Sequence, residues 1–529
     1  MKKLPAPTTQ TICWLAILLL LPALLINLGL LAFIDDEGIR SLVALEMKLS
    51  GNYITPTWHG IYYYNKPPLW NWILLLSFEI FGRFDEWAAR VPTVVCLLGY
   101  GATIFYFFRR HYSSKIAFIN AFVFITCGRV LFWDSLLALI DTCFSWVMFT
   151  MIMVIYHEFE RERYWRLFGI SYLLAAIGFL LKGLPSLVFL GLTLLAYFIY
   201  RKRFRLLFSI QHICGFLILV LLVGGYYFLY DQYNSLAEVF PTLISESSKR
   251  TVVRFGIWET LLHLLSFPLE MIYHFLPWTV MVIYLIRKDV LKLILKDRFI
   301  TFNALVFLVN LLPYWTSPEV YPRYLLMLAP LIFSVYIYFH SIHEQEKSWQ
   351  YRSIVWLFKI VCVVISLAAL APLFLSSTAG LPYLYFRTLL PAAGLALSAW
   401  YFFQEPKQRL LWLIMILLLI RIDFDQFVLP DRNANDFGDK CRTSAIEIGR
   451  KYIGQPFFMY DESEIQPAST FYLTNARQQI IPRKYADEDL RDGIYIFDPR
   501  HYPDSLYQKI EELKVRHGDL KYYAIGRLR

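Results

Sequence analysis

Three acidic residues, Asp35, Asp36 and Glu37, stand directly after the first long apolar run, Thr11–Ile34. An amphipathic stretch follows and leads into Tyr62-Tyr63-Tyr64-Asn65-Lys66-Pro67-Pro68. A carboxylate at a membrane surface can act as a base, or hold the hydroxyl or amine of an acceptor. The alternative is a polar cap on the helix that starts there. The two prolines restrict the backbone after Lys66. A lysine fixed at the interface suits a phosphate; snorkelling to lipid headgroups is its rival role.

Asp134 sits in a bend between two apolar runs, and Asp141 lies one heptad later, inside the next run. Carboxylates within a membrane domain are costly and face a cavity or a partner. Arg129 is the expected partner of either, in the site or as a structural ion pair. Lys182-Gly183-Leu184-Pro185 splits one apolar stretch, and Arg323-Tyr324 opens another. Both cations read as phosphate ligands or as ordinary hairpin-tip and span-end residues. Arg250, Arg254, His263 and His274 lie in or near a long loop and carry less signal. Carboxylates and cations gathered at one end of a helical bundle suit transfer from an isoprenoid phosphate. The acidic side orients or activates the acceptor, and the basic side stabilises the phosphate as it leaves. A transporter more often places broken helices and polar residues at mid-membrane.

The elements that must position these residues are membrane helices. Hydrophobic residues form 57% of the 529 residues, charged ones 17%, and the mean hydropathy is +0.47. Runs of about 20 apolar residues argue helical spans and not a barrel. Aromatic residues, 18% of the chain, crowd the ends of the runs as interfacial belts do. The net charge of +10 would point to nucleic acid in a soluble protein. Here the basic residues occupy short loops, so they set topology. No nucleic-acid partner is expected.

Thirteen spans are predicted, at 11–34, 87–108, 116–133, 136–156, 167–181, 183–200, 207–230, 271–286, 299–315, 323–340, 353–375, 382–402 and 409–428. Arg421 interrupts the last and is expected to snorkel to the nearer surface. The segment 67–82 reads as a shallow interfacial helix. Arg109-Arg110, Arg161-Arg163-Arg166, Arg201-Lys202-Arg203 and Arg287-Lys288 fall on one side, predicted to be cytoplasmic. The 35–67 loop, Trp133-Asp134, Lys182-Gly183, 231–270, 313–323 and the tail fall on the other. The first apolar run reads as a retained span, too long for a cleaved signal peptide. The domain reading is 1–429 for the membrane region and 430–529 for a small non-cytoplasmic α/β domain. Outer loops 35–86 and 231–270 would roof a site. In the tail, PFFMYD, GIYIFDP and KYYAIGRL read as strands, and 441–453 and 503–517 as helices. The seven cysteines have no metal spacing and read as small apolar fillers.

The segment from Asp36-Glu37 through Ser50-Gly51-Asn52-Tyr53 and Tyr64-Asn65-Lys66-Pro67-Pro68-Leu69 to Trp72 resembles a family. It is similar to the first outer loop of the polyprenyl-phosphate-dependent integral membrane glycosyltransferases. These include the bacterial aminoarabinose transferases of lipid A and, more distantly, the protein O-mannosyltransferases. Ala88-Ala89-Arg90-Val91-Pro92, Leu181-Lys182-Gly183 and Pro277-Trp278 extend the match. The resemblance implies a polytopic α-helical GT-C fold in a bacterial inner membrane, with a periplasmic C-terminal domain. It implies an inverting transfer of a sugar from an undecaprenyl-type phosphate to an envelope acceptor. Lipid A, another glycan and a secreted protein are all open as acceptor; a non-enzymatic sugar transporter is the remaining alternative. Asp36 resembles the catalytic carboxylate, Glu37 its neighbour, and Asp134 the second functional aspartate. Lys66 resembles the lysine on the carrier phosphate, with Arg40, Lys182, Arg129, Arg323 and Tyr64 as further binding candidates. The family's arginine falls at the position of Ile39 here, and Arg40 follows it. Asn65 stands where lipid A transferases carry a glutamate that holds a metal with a loop histidine. No cofactor and no obligatory metal are therefore expected. Membrane lipids and the lipid-linked sugar are the expected partners of a monomer.

Overall fold

In the computed structural model the chain is described over residues 7–34, 36–248, 256–488 and 492–529. Asp35, Arg250 and Arg254 lie outside the described residues. Polar residues in the turns start the helices. Asp85 accepts from Ala88 N at 3.0 Å, and Asp297 from Phe299 N at 2.9 Å and Ile300 N at 3.1 Å. Each satisfies backbone donors that the first helical turn leaves over.

The membrane region opens with α1 (Thr9–Leu25), α2 (Glu37–Ser50), the short hairpin β1 (Thr57–Trp58) and β2 (Ile61–Tyr62), and α3 (Leu69–Phe81). Then come α4 (Glu86–Phe108), α5 (Ser114–Ile125), α6 (Gly128–Phe132), α7 (Ile140–Glu160), α8 (Tyr164–Lys182), α9 (Pro185–Tyr200), α10 (Ile210–Asp231) and α11 (Val239–Ser248). Further helices run over Ile257–His274, Arg298–Trp315, Ala329–Glu346, Trp349–Ala368, Leu384–Gln404 and Arg409–Asp423. Among the described residues, six helices are long and apolar enough to cross a membrane. The 50° bent pair Ser114–Ile125 and Gly128–Leu136 makes a seventh if it is one span. Thr9–Leu25, Leu69–Phe81 and Pro185–Tyr200 are shorter apolar helices. The chain is a polytopic α-helical membrane protein.

Several predicted span boundaries move. The first helix stops at Leu25, and the predicted 271–286 span divides between a helix ending at His274 and a 3-10 turn, Trp278–Leu285. Arg421 does not snorkel. Its side chain has no exposure and pairs with Asp425 at 2.8 Å, four residues on, while Nη1 donates to Ser135 Oγ at 2.8 Å. A buried counter-charge removes the reason for the cation to reach water.

Residues 438–529 build a five-stranded sheet in the order β4-β3-β5-β7-β6. Its strands are β3 (Phe457–Tyr460), β4 (Arg483–Lys484), β5 (Ile494–Phe497), β6 (Tyr507–His517) and β7 (Asp519–Leu528). β3 runs parallel to β4 and β5; β7 runs antiparallel to β5 and β6. The helices Gly438–Lys451 and Pro467–Arg477 accompany the sheet. The predicted helix over 503–517 is corrected to a strand. Leu513 and Val515 are wholly buried while Lys514 between them is exposed, the two-residue period of a strand. Gly518, at φ 71°, supplies the tight turn into β7. Pairing with β7 along the whole strand outweighs the helix-forming character of Ile510-Glu511-Glu512-Leu513-Lys514.

This domain sits directly on the membrane region. Tyr472 Oη accepts from Phe33 N at 2.8 Å and donates to Glu86 Oε1 at 2.6 Å. Arg442 pairs with Glu86 at 2.9 Å. A Cβ at Gly38 would lie 2.7 Å from Ala468 N, so only glycine lets α2 approach this close. Val515→Asp should destabilise the C-terminal domain by about 3 kcal/mol, because a carboxylate is buried without a partner. Limited proteolysis of the full chain should then release fragments from this region, with Lys514→Asp behaving as the parent.

Candidate functional site

One cavity of about 620 Å³ brings together four of the nine predicted site residues, Asp36, Arg40, Lys66 and Lys182. Asp36, Arg40, Tyr63, Asn65, Lys66 and Lys182 line it. They come from the start of α2, the loop after β2 and the end of α8. Leu243 and Glu246 of α11 form another wall, and Glu319 and Tyr324 a third. Four of the segments that charge grouped on one side of the bundle, 35–67, Lys182-Gly183, 231–270 and 313–323, therefore meet around one space.

Asp36 holds the N-cap position of α2, yet its side chain makes no capping hydrogen bond. It remains 47% exposed and lies 3.6 Å from Arg323 Nη2. Arg323 Nε lies 3.5 Å from Asp141 Oδ2, and the other oxygen of Asp141 accepts from Lys182. Charges thus alternate from Asp36 through Arg323 and Asp141 to Lys182. The Lys182 ammonium sits 4.0 Å from the ring centre of Tyr324, a contact that favours the cation. Arg40 Nη1 donates to Tyr63 Oη at 2.7 Å.

Lys66 is only weakly compensated. Its ammonium donates to the Asn65 carbonyl at 3.1 Å and reaches Glu246 only at 3.9 Å. Burial, then the nearby charges of Arg40 and Lys182, pull its pKa down to about 8. A buried lysine beside two other cations is a site short of negative charge. An anion bound there would supply it.

The other predicted residues lie off this cavity. Glu37 is wholly buried beside it. Its carboxylate accepts from Arg90 Nη2 at 2.7 Å, Arg90 Nε at 3.1 Å, Ile34 N at 2.6 Å and Ala138 N at 2.9 Å. Asp134 pairs with Arg129 at 3.0 Å, and both are absent from the cavity wall. Arg129 is therefore not the partner of Asp141. Tyr64 Oη accepts from Asn234 Nδ2 at 3.1 Å and does not line the cavity. His263 Nε2 lies 3.4 Å from the Tyr314 carbonyl. Glu246 and Glu319 carried no sequence signal beyond lying in outer loops, and Tyr63 and Tyr324 entered only as neighbours of Lys66 and Arg323. Among the described residues no group of three His, Cys, Asp or Glu comes together to hold a metal. Asn65, whose main-chain carbonyl accepts from Lys66, has an amide side chain and adds no carboxylate ligand.

Residues 65–227 match the dolichyl-phosphate-mannose-protein mannosyltransferase family. An uncharacterized protein of Aquifex aeolicus is 26% identical over 238 residues, 44% of this chain and 47% of its own length. The undecaprenyl phosphate-alpha-4-amino-4-deoxy-L-arabinose arabinosyl transferase of Pseudomonas savastanoi is 26% identical over 177 residues, 32% of each chain. These matches thus span about half and about a third of the relatives' lengths. The crystal structure of ArnT from Cupriavidus metallidurans bound to undecaprenyl phosphate aligns over 97% of both chains, with a TM-score of 0.68 at 15% identity. The chain has the GT-C fold. Membrane helices and C-terminal domain alike take part in that alignment, so the likeness extends well beyond the matched stretch of sequence.

The geometry separates two neighbouring carboxylates. Glu37→Gln should lower the melting temperature in detergent by several degrees, since breaking a buried ion pair costs about 3–5 kcal/mol. Asp36→Asn should leave it within a degree or so, its side chain being half exposed. Differential scanning fluorimetry of the two variants checks the division.

Proposed function

We propose that the chain is an inverting glycosyltransferase that moves a sugar from an undecaprenyl-type polyprenyl phosphate to a lipid A or other cell-envelope acceptor. The observation that carries this reading is the single cavity faced by Asp36 and by the cations Arg40, Lys66 and Lys182. An acceptor group and a lipid phosphate need opposite charge environments within bonding reach of one sugar carbon. This wall offers both.

In the proposed reaction the bond between the sugar's anomeric carbon and the phosphate oxygen breaks. The electron pair leaves with the phosphate, which Lys66, Arg40 and Lys182 stabilise. The acceptor oxygen forms the new bond from the opposite face, and Asp36 orients it and takes its proton where it carries one. Arg323 holds Asp36 toward the cavity. Glu37 and the Asp134–Arg129 pair serve as positioning groups. Tyr64, whose hydroxyl accepts from Asn234, serves as a positioning group as well. We further propose thirteen crossings of a bacterial inner membrane. Residues 430–529 would be periplasmic, and loops 35–86 and 231–270 would roof the site. The meeting of the outer-side segments around one cavity supports that orientation. The named arabinosyl transferases support an undecaprenyl-phosphate donor, and the protein-mannosyltransferase match keeps a protein acceptor as the second reading.

Purified protein given a polyprenyl-phosphate sugar and an envelope extract should release free polyprenyl phosphate. Lipid or protein labelling distinguishes the two acceptors. Uptake into sealed vesicles without covalent change would instead identify a transporter. Asp36→Asn should cut turnover by about 10²–10⁴-fold while donor binding persists. Unchanged turnover would remove Asp36 from its role.

The pH dependence follows from Lys66. With a pKa lowered to about 8 it is cationic below that value and neutral above it. The donor concentration needed should rise as pH climbs through about 8. Lys66→Arg, which keeps its charge throughout, should flatten that rise in a titration of initial rate against donor at each pH.

A further inference from the structure

The hairpin β1–β2 stands between the cavity and the C-terminal sheet. Glu46 of α2 has no exposure to water. Its carboxylate accepts from Thr57 Oγ1 at 2.8 Å, His59 N at 2.8 Å and Gly60 N at 3.1 Å. One buried anion therefore grips the tip of the hairpin from the α2 side. The tip is a left-handed turn, with His59 at φ 57° and Gly60 at φ 71°. A non-glycine residue holds such a conformation at a cost of about 1–2 kcal/mol. Hydrogen bonds to a charged group are strong enough to offset it.

The other side of the tip meets the C-terminal domain. The His59 carbonyl accepts from Arg483 N at 3.0 Å. Arg483 belongs to β4, the edge strand whose opposite side pairs with β3. A Cβ at Gly60 would sit 3.2 Å from Pro482 Cβ, so hairpin and sheet edge are in close contact. Burial and the Arg483 charge hold the His59 ring neutral, with a pKa near 3, so the seam carries no ring charge. Beyond the tip, Tyr63 N closes the hairpin onto Pro56 O at 2.8 Å. The same Tyr63 takes the hydrogen bond from Arg40, and Lys66 follows in the next turn of chain.

We propose that Glu46 is a positioning residue and that the hairpin it grips transmits the placement of the C-terminal domain to Arg40 and Lys66. The domain thereby sets affinity for the phosphate of a polyprenyl lipid more than the rate of transfer. The ligand in this statement rests on the reading of the cavity given above. The mechanical link does not.

Two substitutions at one position isolate the link. Arg483→Ala removes the side-chain bonds to the Asp461 and Ser463 carbonyls and keeps the N–H. Arg483→Pro removes the N–H as well. Amide hydrogen exchange over residues 57–66 of the full chain in detergent is measured beside a titration with undecaprenyl phosphate. Arg483→Pro should exchange faster there than Arg483→Ala and bind the lipid about five-fold more weakly, the equivalent of about one net hydrogen bond. Glu46→Ala should show both effects more strongly. Glu46→Gln, which keeps an acceptor oxygen, should recover part of each. Turnover at saturating donor should change less than two-fold or so in all of them. Equal exchange in the two Arg483 variants overturns the link. Faster exchange with unchanged lipid affinity overturns its bearing on the site. A parent chain that binds no polyprenyl phosphate overturns the functional reading, and the exchange rates alone then decide the link.

Discussion

Glu37 and Arg90 form an ion pair with almost no access to water, their side chains 0% and 2% exposed. Such a pair is tolerable only when every lone pair and proton finds a partner. Here Arg90 also donates to the Leu28 carbonyl at 2.8 Å and the Ala32 carbonyl at 3.3 Å. Glu37 uses its remaining capacity on Ile34 N and Ala138 N. Four stretches of chain are tied in one knot: the exit from α1, the start of α2, the first turns of α4 and the bend before α7. The knot ties the residue next to Asp36 to the bend before the helix that carries Asp141. Neither carboxylate could keep its distance to Arg323 if the knot were loose.

The charges around the cavity are unevenly shared. Asp141 is held by two cations, Lys182 and Arg323, and Arg323 also turns toward Asp36. These groups largely neutralise one another. Arg40 leans on a neutral phenol, and Lys66 has only a distant carboxylate. The uncompensated positive field therefore concentrates at the loop ending in Pro67-Pro68. An anionic phosphate gains most where existing anions compete least. Buried positive charge without full pairing is costly in the empty site, and that cost is offset on binding. This is the electrostatic reason for proposing that a lipid phosphate sits near Lys66 and the acceptor toward Asp36.

The membrane class and the grouping of Asp36, Lys66, Lys182 and Arg323 at one end were legible, because loop charges and span lengths encode them directly. Three of the tail's strands were legible from apolar runs bounded by turns. The β6 strand was not, since its residues satisfy a helical period too and only the partner β7 decides between them. Pairing was the other blind spot. Asp141 and Lys182 lie on α7 and α8, and nothing local says which cation meets which carboxylate. The split between Asp36 and Glu37 has a local cause that sequence cannot resolve alone. At a helix start, neighbours point about 100° apart. One of two adjacent acids must face inward, and which one depends on where Arg90 stands.

The same logic separates the polar groups inside the bundle into two kinds. Arg421, Asp425 and Ser135 are fully enclosed and bond to one another, fastening the end of the Arg409–Asp423 helix to the bend at Asp134. Arg129 and Asp134 fasten the next turn. These contacts take up most of the groups' hydrogen-bonding capacity, with Arg421 Nη2 left buried and without a partner. Asp36, Lys66 and Arg40 differ because their strongest partners are remote, neutral or shared. A membrane domain pays heavily for each polar atom it buries. Enclosed pairs return that cost as fixed geometry. The cavity groups are held in place by those pairs and keep their own charge available, which is the division of labour that a reaction between a lipid phosphate and a polar acceptor requires.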